Sequence, residues 1–114
     1  MSRTKARQLG TKWAKEELIS MGVNGCELAE EVVKLGFPNK CCGAFTAALA
    51  HDDKGRYLSE EELRHPDLAR VCIACSYCHG IIEYKIPRLK MQEIVRKVAE
   101  ERNARCHYQD ALSC

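Results

Sequence analysis

The chain has 114 residues, with 18 Lys and Arg against 16 Asp and Glu, a formal net charge of +2, and eight cysteines. That length suits one small domain, and so even a charge balance does not by itself announce a nucleic-acid binder. No apolar run approaches the roughly 18 residues that cross a bilayer, and the first residues lack the apolar stretch of a secretory signal. The expectation is a cytoplasmic chain with no membrane segment.

In chain order, residues 1–10 read as a flexible basic segment: Arg3, Lys5, Arg7, Lys12 and Lys15 fall in the first fifteen positions without one acid. Thr11 is placed to cap a helix from Lys12 to Met21, with Trp13, Leu18 and Met21 as a weak apolar stripe. Gly22-Val23-Asn24-Gly25 breaks it. A second helix, Cys26 to Leu35, puts Leu28, Val32 and Leu35 on one face and Glu27, Glu30 and Glu31 on the other, and Gly36 and Pro38 stop it. The pair, residues 11–36, is a helical hairpin. Its acidic second helix suits packing better than the recognition helix of a DNA-binding helix-turn-helix.

Ala44 to Ala50 reads as a short strand, Asp52-Asp53-Lys54-Gly55 as a turn, and Arg56-Tyr57-Leu58 as the returning strand. Ser59 with Glu62 forms a capping box that opens a short helix to about Arg64. A cysteine turn follows, then a helix from His79 to Tyr84. Pro87 suits the first position of a long last helix running to about Arg102, with Met91, Ile94, Val95, Val98 and Ala99 as its apolar face. Residues 105–114 read as a flexible tail, in which Cys106, His107 and Cys114 have no ligand spacing.

The cysteines cluster as Cys41-Cys42 and as Cys72, Cys75 and Cys78 in the spacing C-x-x-C-x-x-C, with His79 directly after. Two thiolates separated by two residues turn onto one tetrahedral ion, the usual half of a structural zinc site. Adjacent cysteines and the lack of an export signal favour metal over disulfides. The other half of the site must come from elsewhere, and Cys41-Cys42 is the obvious candidate.

Cys42-Gly43, Ala50-His51 and the run Cys75-Ser76-Tyr77-Cys78-His79-Gly80-Ile81-Ile82-Glu83 together resemble the HNH endonucleases, in particular the cysteine-containing HNH proteins of phages and bacteria. The resemblance spans about residues 37–102. It implies an α+β fold in which a ββα-metal module (residues 37–104) is stapled by a cysteine zinc site, with the helical hairpin before it and the long helix at its end. It further implies a DNA endonuclease in the cytoplasm of a bacterium or a phage-infected cell. His51 would be the general base, and His79 would be a ligand either of Mg²⁺ or another divalent ion or of the structural zinc. Cys42, Cys75 and Cys78 would be three of the zinc ligands, with Cys41 nearest for the fourth and Cys72 or Cys26 as further candidates. Lys54, Arg56, Arg64 and Arg88 would lie on DNA phosphates, and the N-terminal helices would be free to meet a protein partner.

The chain departs from the family pattern at three places. Ala50 stands where a second metal ligand often precedes the base, no asparagine lies between His51 and His79, and Asn39 stands where the first knuckle has its leading cysteine. These departures support an alternative, a catalytically inactive zinc-binding adaptor on the same fold that binds DNA or a protein. A third reading, an iron–sulfur protein using Cys72, Cys75 and Cys78, lacks the ferredoxin continuation, since Ile82 occupies the position of its fourth cysteine.

Overall fold

The computed structural model describes residues 1–42 and 48–110, the last five of these without their side chains. Five helices and a two-stranded antiparallel sheet are described: α1 (Arg3–Ser20), α2 (Ala29–Lys34), β1 (Ala48–His51), α3 (Glu60–Arg64), β2 (Val71–Ala74), α4 (Ser76–Tyr84) and α5 (Arg88–Asp110). Single 3₁₀ turns at Gly55–Tyr57 and Leu68–Arg70 flank α3. None of the described helices is long and apolar enough to cross a membrane.

The N-terminal residues correct the reading of a loose arm followed by a helix at Thr11. One helix starts at Arg3, because the Ser2 side chain accepts from the Lys5 N–H at 3.1 Å and caps it. Its buried face is Ala6, Gly10, Ala14 and Leu18, a ladder four apart in which the first three are small. Trp13, expected on that face, is 40% exposed. Both early helices end alike. Gly22 (φ 97°) and Gly36 (φ 94°) adopt the left-handed conformation that a side chain would disfavour. The next N–H, of Val23 or Phe37, then reaches back to the carbonyl of Leu18 or Val32.

Small residues on α1 let it settle closely on α3. A Cβ at Gly10 would lie 1.8 Å from the carbonyl oxygen of Leu63, a backbone atom that cannot swing aside. Gly10→Ala is therefore expected to destabilise the chain although alanine favours helix by roughly 1 kcal/mol. Overpacking of this kind costs about 1–3 kcal/mol. A thermal melt should show a lowered midpoint; a midpoint at or above the parent's would mean that α1 does not sit on Leu63.

The sheet also differs from expectation. Arg56-Tyr57-Leu58 is not the return strand. Arg56 and Tyr57 are exposed and close a 3₁₀ turn, whereas Val71–Ala74 is buried on both faces and pairs with β1. The register is Ala48 with Ala74, Leu49 with Ile73, Ala50 with Cys72, and His51 with Val71. Of the expected first strand, Ala44 to Ala47 lie outside the described residues. The capping box stands as read: Ser59 accepts from Glu62 N–H and the Glu62 carboxylate accepts from Ser59 N–H, each at 3.0 Å. The last helix continues beyond Arg102 to Asp110.

Side-chain alternation lets this small sheet divide the core. Ala50, Cys72 and Ala74 face a cluster with Leu28, the residue before α2, and with Val32, Ile82, Met91 and Val95 from α2, α4 and α5. Leu49, Val71 and Ile73 face Ala14 and Leu18 of α1. His51, two residues after Leu49, falls on the α1 side. Asp52 falls on the other, where Arg70 and Arg96 donate to its carboxylate at 2.7 and 2.6 Å.

Candidate metal centre and histidine face

The residues around the C-x-x-C turn build the first site. β2 delivers the chain to Cys75, which caps α4: its sulfur accepts from the Cys78 N–H at 3.4 Å, bringing the two thiols onto one side of the first turn. Cys41 arrives from the segment after α2, its sulfur 3.7 Å from that of Cys75. Cys26 is carried in by Glu27, whose N–H donates to the Ile73 carbonyl at 2.8 Å while its carboxylate accepts from the Ile73 N–H at 2.9 Å. A single residue thus completes the free edge of β2 and sets its neighbour beside Cys75.

The sulfurs of Cys26, Cys41, Cys75 and Cys78 all lie within 4.8 Å of one another. Tetrahedral zinc, with bonds of about 2.3 Å, separates its sulfurs by about 3.8 Å, close to the Cys41–Cys75 spacing. These four thiols can hold a metal ion such as zinc. Burial would raise the Cys75 thiol, but N–H groups of Cys78 and Cys42 pointing at the sulfur bring it down to about 6. Burial raises Cys26 and Cys78. One thiolate is therefore favoured even before an ion arrives to ionise the rest.

Two assignments change here. Cys42 is exposed and stands outside the cluster, offering its backbone N–H to Cys75 in place of a thiol. Cys26 takes the fourth place; no C-x-x-C spacing marks it, since Glu27 and the sheet edge bring it in. Cys72 is outside the four-thiol group and donates to the Val95 carbonyl at 3.4 Å, with burial raising its thiol. An iron–sulfur set of Cys72, Cys75 and Cys78 is not assembled.

His79 is not among the clustered ligands. It follows Cys78 on α4 and lines a groove of about 760 Å³ with Arg3, Arg7, Lys54, Arg56, Glu83 and Tyr84. Burial lowers the His79 imidazole, Glu83 one turn along α4 raises it, and Arg7 lowers it. His51, 8% exposed at the end of β1, is lowered to about 4, first by burial and then by Arg7, with Asp52 opposing and His79 and Arg70 adding. Its Nε2 is buried with no hydrogen-bond partner among the described residues. The Arg7 charge on α1 disfavours the protonated form of both imidazoles.

Among the described residues no three-ligand group other than the four thiols is present. Asp53 is held by Arg88 in a two-bond pair at 2.7 Å, and Asp52 by its two arginines. His79 and Glu83 are the imidazole and the carboxylate that line the groove. Of the expected phosphate contacts, Lys54 and Arg56 line the groove, Arg64 stands half-buried at the end of α3, and Arg88 is engaged by Asp53. No family model matches the chain, and neither a curated protein nor a solved structure matches it.

Proposed function

We propose that the chain is a small HNH-like, zinc-stapled DNA endonuclease, with Zn²⁺ on Cys26, Cys41, Cys75 and Cys78 and His51 as general base. The observation that carries this reading is the buried, unpartnered Nε2 of His51 at a strand end beside His79 and Arg7. A polar atom buried without a partner is costly, and such atoms concentrate where chemistry uses them. Supporting it is the order β1 ending in His51, then β2, then the helix carrying His79.

In this reading a water attacks the phosphodiester phosphorus, Nε2 of His51 takes its proton, and the bond to the 3′ oxygen breaks. Arg7 offsets the negative charge that grows on the phosphate oxygens. A divalent ion held by His79 and Glu83 would supply further stabilisation of the departing oxygen when bound. The alternative, a non-catalytic zinc-binding adaptor, is favoured by Ala50 before the base and by the engagement of Asp52 and Asp53 with arginines.

Supercoiled plasmid incubated with the zinc-loaded protein and Mg²⁺, Mn²⁺ or Ni²⁺ separates the two. Nicking that requires the divalent ion and disappears in His51→Ala supports the nuclease. Its rate should fall with acid only below the ordinary imidazole value of 6.5, towards about 4, because a protonated His51 accepts no proton. Folded, zinc-loaded protein that cleaves with none of the ions supports the adaptor.

A further inference from the structure

We propose that the groove between α1 and α4 takes a single-stranded stretch of DNA, with Tyr84 as a platform for a base and Arg3, Arg7, Lys54 and Arg56 on its phosphates. This rests on the DNA reading above but not on cleavage. The four cations share a groove with one carboxylate, that of Glu83. None of the four pairs with a carboxylate among the described residues. Arg3 donates to the carbonyls of Gly55 and Leu58 at 2.7 and 2.8 Å, and Lys54 Nζ to the carbonyl of Glu83. Neutral carbonyls fix these side chains in place without cancelling their charge. Elsewhere the positions of Arg70, Arg88, Arg96 and Arg102 are set by carboxylates, which do cancel it.

Tyr84 gives the groove its second character. An exposed tyrosine alone is ordinary, but this one, 76% exposed, lines the groove with Lys54 Nζ 5.7 Å from its ring centroid. Tyr57, half exposed beside Arg56 and Arg88, lies at the neighbouring turn. Cations that track a backbone, with an open aromatic face between them, are what single strands bind: unpaired bases offer π-faces that a duplex keeps stacked inside. Duplex DNA would use the charges but leave the ring idle.

Fluorescence anisotropy tests this with the full chain, zinc-loaded and without added divalent ion, so that binding is read apart from cleavage. The probes are a short labelled oligothymidine and a duplex of equal length. The single strand should bind more tightly. Tyr84→Ala should weaken it by roughly tenfold, within the range for loss of one base–aromatic stack, leave the duplex unchanged, and be rescued by Tyr84→Phe. Arg7→Ala should weaken both probes and flatten their salt dependence. Equal affinity for the two probes, or a Tyr84→Ala variant that binds like the parent, overturns the proposal. Tyrosine-dependent binding without nicking would sink the nuclease and leave this inference standing; nicking indifferent to Tyr84 would do the reverse.

Discussion

Cys26→Ser should leave the chain unable to retain zinc and without a cooperative thermal transition, while Cys42→Ser should match the parent in both. Structural zinc in small domains is worth about 10–16 kcal/mol of apparent binding free energy, comparable to or larger than the roughly 5–15 kcal/mol by which whole domains are stable. Removing one of four thiolates forfeits much of that, and the four sulfurs here join three separate stretches of chain. Metal content by mass spectrometry and a circular-dichroism melt, taken on the same samples, make the comparison. If Cys26→Ser keeps one zinc per chain and melts with the parent, the metal sits elsewhere or contributes nothing to the fold.

Glu27→Ala should be the most damaging change away from the thiols, at about 3–5 kcal/mol, the range for removing one partner of a buried ion pair. The Arg102 side chain is 3% exposed. Its guanidinium donates to both Glu27 oxygens at 2.9 and 3.1 Å, to the Val71 carbonyl at 3.1 Å and to the Leu68 carbonyl. Without Glu27 that charge remains inside with only neutral acceptors, and the Ile73 N–H loses its partner. Urea unfolding should show the loss. A cost below about 1 kcal/mol, the level of exposed pairs, would mean that water reaches the guanidinium. Because Glu27 also seats Cys26, the same variant should bind zinc more weakly.

What was legible in the sequence was mostly local. The Ser59–Glu62 box, the glycine stops, the apolar face of α5 and the turn that pairs Cys75 with Cys78 each depend on residues a few positions apart, and each is found where expected. The misses came from contacts across the chain. Trp13 falls in a helical stripe with Leu18 and Met21, yet α3 lies so close to α1 that only Ala6 and Gly10 fit between them. Arg56-Tyr57-Leu58 looked like the second strand because a turn precedes it, but Val71–Ala74 is buried on both faces and wins the pairing. Cys26 carries no spacing signal at all; its place is set by Glu27 against a strand more than forty residues away. The buried nitrogen of His51, likewise, shows only once the chain has folded around the end of β1.

The two-faced sheet has a consequence for cooperativity. Ala50 and Cys72 wall the half of the core next to the thiols, while Leu49, Val71 and Ile73, on the same two strands, wall the half under α1. Neither half can lose β1 or β2 without the other losing its wall, so the two melt together. The thiol cluster belongs to one half and Arg7 to the other. Whatever secures the cysteines therefore also secures the face of the sheet under α1, and with it the groove that α1 lines.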